Sequence, residues 1–196
     1  MTPQHEITPA DIMPMDDYAA VRAERRKAMG ELKKNRRVAV GPDATFYFES
    51  YDTMFHQVHE MLYIEKGGDG QIADELSAYN PLIPNGRELV ATLMFEIDEP
   101  VRRAAFLAGL GGVEETVSLA FEGETIEAVA EQDVDRTTAE GKASSIQFLH
   151  FPFTPGQIET FRAPGARITL GIGHAKYGHT AVLPDDVRVA LAQDFD

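Results

Sequence analysis

An α+β architecture with a mainly antiparallel sheet is predicted for this 196-residue chain. Three observations lead there. Helical and strand-like patterns are mixed along the chain without the regular β-α-β spacing of a parallel sheet. Two pairs of strand candidates flank short glycine turns, as hairpins do. Hydrophobic residues make up 43% and charged residues 26%, which is enough apolar material for one core.

Each element has a local reason. Residues 16–36 read as an N-terminal helix. Asp16 and Asp17 suit its positive end, the Lys/Arg cluster suits its negative end, and Tyr18, Val21, Met29 and Leu32 supply an apolar stripe. Residues 37–49 read as two short strands around the Gly41-Pro42-Asp43 turn. A central helix over 52–66 stops at Gly67-Gly68, and a shorter one follows over 71–78. Pro81, Pro84 and Gly86 make 79–86 a loop. Residues 89–97 suit a strand, and 100–110 a helix with Pro100 in its first turn. Strands over 116–121 and 125–131 flank Gly123, and the apolar, aromatic run 144–153 suits a central strand. One or two helical turns over 155–162, a strand over 167–172, a Gly-rich loop over 171–179 and a short C-terminal helix over 185–193 complete the chain. The whole reads as a single domain, 1–196: a flexible segment 1–15, a basic helix 16–36 and an acidic body 37–196.

Composition excludes several classes of function. With 0 Cys there are no disulfides, no cysteine-held iron–sulfur cluster, no thiolate zinc site and no cysteine nucleophile. A net charge of −14 argues against binding nucleic acid or an anionic membrane. The N-terminus lacks a basic region followed by an apolar run, and no stretch approaches the ~18 apolar residues of a membrane span, so a cytoplasmic protein is expected. The charge is uneven. Residues 1–37 hold 8 Lys/Arg against 6 Asp/Glu, whereas residues 38–196 hold 10 against 26. The basic cluster, from Arg22 to Arg37, lacks the interleaved aromatics of a single-strand binder. It reads as a solvated face that docks on the acidic body or on an acidic partner, with a nucleic-acid contact or an anionic-ligand cradle as the alternative. No G-x-S-x-G, G-x-G-x-x-G or P-loop pattern occurs, so no nucleotide or acyl-transfer motif is present.

Three constellations could carry chemistry. On a helix over 52–66, Asp52, His56 and Glu60 share one face, a spacing able to chelate Fe, Mn or Zn or to form a plain polar face. Glu49 and Glu96 each interrupt or end an apolar strand. A carboxylate there is paired, metal-bound or simply on the water-facing side of the alternation. His174 and His179 lie in the Gly-rich stretch, where they could face one cavity or cap backbone. His150 reads as a strand histidine rather than a ligand.

The chain resembles the bacterial family called domain of unknown function 3501. The features that carry the likeness span nearly the whole sequence. They are Tyr18 and Arg22 ahead of Lys33-Lys34-Asn35-Arg36-Arg37, Val40-Gly41-Pro42, Phe48-Glu49, Thr53, Gln57, Glu60-Met61 and Glu65. Further on come Asn80, Leu82-Ile83-Pro84-Asn85-Gly86, Ala91-Thr92, Glu96, His174 and Tyr177. The resemblance implies an association with a rubrerythrin-like di-iron protein and an iron–sulfur oxidoreductase, hence redox or peroxide-stress physiology. It also implies a shared site of Glu49, Gln57, Glu60, His174 and Tyr177 that does not require His56 or His59. Gln147 stands where the family pattern would lead one to expect a late-strand histidine, with His150 three residues on.

Three functions follow as expectations. The first is a metal-binding or redox accessory protein, in which Glu49, Glu60, Glu96 and His174 bind Fe or Mn and Gln57 and Tyr177 support the cofactor by hydrogen bonds. The second is a non-catalytic interaction subunit whose acidic surface docks a redox partner, with the basic helix as a second contact or an oligomer arm. In it, Glu49 and Glu60 are structural and pair with residues such as Arg36, Arg37 or Arg87. The third is a metal-free small-molecule enzyme using Glu60 and His174 as an acid–base pair.

Overall fold

The computed structural model describes residues 4–131, 137 and 141–196. Strict alternation fixes the first hairpin. Val38 and Val40 of β1 (Arg37–Val40) and Ala44, Phe46 and Phe48 of β2 (Ala44–Phe48) point inward, and their neighbours point out. Between them Gly41 adopts a φ of 72°, and a Cβ there would lie 2.6 Å from the His179 ring, so glycine is required twice over. Among the described residues, β1 and β2 continue through β3 (Glu88–Phe95) and β7 (Ile146–Pro152) to β6 (Val129–Ala130), an antiparallel five-stranded sheet in the order β1-β2-β3-β7-β6. A four-stranded antiparallel sheet has the order β5-β4-β8-β9, from β4 (Val117–Phe121), β5 (Glu124–Glu127), β8 (Thr169–His174) and β9 (Tyr177–Val182). Only Ala128 separates β5 from β6, so one extended stretch passes from one sheet into the other. The inner faces of both sheets enclose the main core, which includes Phe46, Leu93, Leu119, Leu149 and Leu170.

The outer face of the five-stranded sheet carries a helical layer. Helix α2 (Tyr51–Glu65) starts where the Ser50 hydroxyl accepts the Thr53 N–H and ends where Lys66 turns left-handed. With α3 (Asp69–Tyr79) it buries Met54, Val58, Leu62 and Leu76 against Val90. Helix α1 (Met15–Lys34) lies on α2 and buries only Tyr18 fully. Three short helices complete the described part of the fold: α4 (Pro100–Leu107), α5 (Pro155–Arg162) and α6 (Asp185–Leu191).

Two departures from the sequence reading have physical causes. The stretch 171–179 is a tight hairpin instead of a loop, with Gly171 opposite Thr180 and His174 opposite Tyr177. Glycine lowers strand propensity, but pairing of β8 with β4 overrides it. The described residues ahead of α1 make specific contacts. Ile7 is buried, its N–H and C=O both bond the Asn80 side chain, and the Met13 N–H donates to His59 Nε2. The other His59 nitrogen faces the Phe55 carbonyl, so this ring is neutral, and burial pushes its pKa down.

Candidate functional site

The Glu60 carboxylate lies between α1 and α2. It accepts two hydrogen bonds from Arg22, from Nε and Nη2 at 2.8 Å each, and one from the Tyr18 hydroxyl at 2.7 Å. The Arg22 guanidinium also lies over the Tyr63 ring, 4.6 Å from its centroid. Arg22, and after it Tyr18, hold the carboxyl at about 2, while burial raises the Tyr18 phenol. A bidentate pair of this kind leaves Glu60 poorly suited to a metal. On the same helical face Asp52 is exposed, and burial pushes the His56 pKa down, which keeps that imidazole neutral.

Glu49 directly follows β2 and reaches across the outer face of the sheet. One carboxylate oxygen accepts from the Thr53 hydroxyl of α2 at 2.6 Å, and the other from the Thr92 hydroxyl of β3 at 2.7 Å. Arg36 reaches the Glu49 backbone carbonyl rather than its carboxylate. Glu96, exposed beyond β3, accepts from the Thr45 and Tyr47 hydroxyls of β2 at 2.7 Å each. Gln57 donates weakly to the Tyr79 hydroxyl at 3.4 Å. The residues that carry the family resemblance thus meet in two knots: Tyr18–Arg22–Glu60, and Glu49–Thr53–Thr92.

Tyr177 and His174 occupy the β8–β9 hairpin. The Tyr177 hydroxyl donates to the Val40 carbonyl at 2.8 Å and accepts the Asp43 and Ala44 N–H groups at 3.0 Å each. Its ring packs edge-on against Phe95 and Phe106. This hydroxyl ties β9 to the β1–β2 turn and has no free hydrogen-bonding capacity for a cofactor. Tyr177→Phe is expected to destabilise the fold by about 2–3 kcal/mol, because it strands buried backbone groups, while leaving the secondary structure intact. Urea denaturation followed by circular dichroism reads this directly. His174 Nδ1 accepts the Lys176 N–H within the turn.

Glu49, Glu60, Glu96 and His174 therefore have separate local partners. Among the described residues no group of three or more His, Asp or Glu side chains is arranged to hold a metal ion. His150 illustrates why proximity is insufficient. Its Nδ1 faces Glu88 and its Nε2 faces Glu131, each at 3.1 Å, so the carboxylates lie on opposite sides of the ring. Glu88, and then Glu131, raise the His150 pKa above 6.5. The stabilisation is present below pH 6.5 and is lost as pH rises through the folded-state value. His150→Gln should accordingly cost about 1–2 kcal/mol at acidic pH and progressively less in alkaline buffer, as read from urea melts across the range.

Two features were not legible in the sequence. A cleft of about 950 Å³ opens between the N-terminal segment, the start of α2 and the C-terminal residues, with Arg36 and Asp194 in its wall and Asp52 nearby. Arg36 donates to the Phe48 and Glu49 carbonyls and to Asp194. Burial pushes the Asp194 pKa up, more than Arg36 lowers it. Elsewhere Glu114 is buried, and its Oε2 has no hydrogen-bond partner among the described residues.

The geometry describes an α+β protein of two antiparallel sheets whose signature carboxylates brace one element against another. The chain belongs to the DUF3501 family, described as proteins of unknown function, whose model matches residues 6–195. It is similar to a protein of unknown function from Burkholderia pseudomallei K96243, known from a crystal structure at 1.90 Å. Identity is 35%, each chain is covered over 100% of its length, and the TM-score is 0.90. No curated protein matches it. No helix among the described residues is long and apolar enough to cross a membrane.

Proposed function

We propose that this protein is a non-catalytic interaction subunit whose acidic body docks a positively charged face of a redox partner. The supporting observation is the commitment of Glu49, Glu60 and Glu96 to bonds within the fold. Binding Fe or Mn through them would first require breaking the Arg22–Glu60 pair and releasing the threonine and tyrosine hydroxyls. An acid–base role for Glu60 with His174 meets the same obstacle, since a carboxyl held at about 2 is a weak base. Outside α1 the chain is acidic, with 10 Lys/Arg against 26 Asp/Glu in residues 38–196. The β4–β5 hairpin exposes Glu122, Glu124 and Glu127 around Gly123, with Glu115 also exposed close before β4. Such a surface steers a basic partner and sets the rate of encounter more than the affinity.

The test is binding to the rubrerythrin-like protein and to the iron–sulfur oxidoreductase, by surface plasmon resonance at low and high salt. Affinity for one of them is expected to fall about tenfold or more between the two conditions, and again in an E122K/E124K/E127K variant. Binding to neither, or binding indifferent to salt and charge reversal, refutes the proposal. Elemental analysis supplies the competing outcome. Near-stoichiometric Fe or Mn that disappears in Glu60→Ala would restore the metal-binding reading.

A further inference from the structure

We infer that the outward face of α1 is a self-complementary surface that pairs antiparallel with α1 of a second copy of this chain. Helix α1 has 20 residues and is therefore about 30 Å long, yet only Tyr18 is fully buried. Arg22, Arg25, Met29 and Leu32 share its inner side with Tyr18. At 100° per residue, Asp16, Ala20, Ala23, Lys27, Gly30 and Lys34 fall within about 80° of one another on the opposite side. All six are exposed.

Two observations say what covers this face. The first is its charge order. The acidic residue Asp16 is at one end and the basic Lys34 at the other, on the same line of the helix. An antiparallel two-fold pair centred near Arg25 sets Asp16 against Lys34 of the second copy at both ends. The opposed helix dipoles add to the attraction. A surface that carries its own complement at the mirrored position favours a second copy over an unrelated partner. The second observation is Gly30. Glycine inside an exposed helix lowers helix stability relative to alanine. Yet a Cβ at Gly30 would meet nothing within 4 Å, so packing within the chain does not demand a glycine there. In the antiparallel pair Gly30 faces Ala20 of the second copy, and the two small residues let the helices approach at the close end of the usual packing distance. One helix pair of this length buries an area at the low end of specific interfaces, on the order of 1,000 Å² in total. A reversible dimer in the micromolar range is expected. The acidic β4–β5 hairpin is not part of this face.

Sedimentation velocity on the purified full chain, from about 1 to several hundred µM, tests the inference independently of any redox partner. A concentration-dependent dimer is expected, weakened by raised salt. D16K and K34E should each raise the dissociation constant about tenfold, and D16K/K34E should recover most of the loss because the pair is re-formed with its signs exchanged. Gly30→Trp should abolish the dimer by filling the close approach. Position 30 is exposed, so circular dichroism should show a folded monomer. A chain that stays monomeric throughout overturns the inference. So does a dimer that tolerates Gly30→Trp and both single reversals, which would place the interface elsewhere. Should Gly30→Trp fail to fold, the charge-exchange series decides alone.

Discussion

Replacing Arg36 with methionine is expected to cost about 3–5 kcal/mol of folding stability, the largest effect of any single substitution considered. The guanidinium is buried, 6% exposed, and bonds three acceptors: the carbonyls of Phe48 and Glu49 and the carboxylate of Asp194. Phe48 and Glu49 are where β2 turns into α2, and Asp194 lies in the C-terminal turn after α6. One side chain therefore joins the end of the chain to the entry of the central helix. Arg36→Met leaves two carbonyls without this donor and a carboxylate unpaired. The pair is not itself a large source of stability, because burial raises the Asp194 pKa despite the adjacent cation. The double variant R36M/D194L should therefore lie closer to wild type than the sum of the two single variants. Urea denaturation of the four proteins gives this coupling. A double variant as destabilised as that sum would show that the two side chains act independently.

Glu60→Gln is expected to cost about 2–3 kcal/mol at neutral pH and little near pH 2. In the folded protein the carboxyl sits at about 2, against 4.5 for an ordinary glutamate. Between these values the unfolded chain binds a proton that the folded chain does not. The stabilisation is thus complete above pH 4.5 and is lost as pH falls toward 2. Unfolding free energies across this interval should decline more steeply in the wild type than in Glu60→Gln, until the two curves meet. Parallel curves would mean that Arg22 and Tyr18 do not hold the carboxylate in solution. Arg22→Ala should remove the same acid-sensitive portion.

The acid-dependent brace at Glu60 and the opposite dependence at His150 are what charged clusters serving as scaffold produce. Each joins elements distant in sequence, and each carboxylate is engaged by partners within the fold. Of the residues that carry the family resemblance, Glu49, Thr53 and Thr92 join α2 to the sheet, and Tyr18, Arg22 and Glu60 join α1 to α2. The acidic β4–β5 hairpin and the outward side of α1 are exposed and take no part in these braces.

The sequence alone determined what depends on near neighbours. Alternation of Val38, Val40, Phe46 and Phe48 around Gly41 specifies a hairpin with one apolar face. The run from Asp52 to Glu65, bounded by Ser50 and Gly67, specifies a helix. The mixture of such segments specified an α+β fold with antiparallel pairing. Periodicity, capping and turn chemistry act within a few residues, so they are visible without knowing where the chain goes next. What only the tertiary structure decided depends on chain crossings. Arg22 finds Glu60 across 38 positions, Ile7 finds Asn80 across 73, and Arg36 finds Asp194 across 158. A carboxylate has the same letter whether it meets an ion, a hydroxyl or a guanidinium. Its chemistry is set by the partner that packing delivers and by how much water packing removes, and neither is written in local spacing.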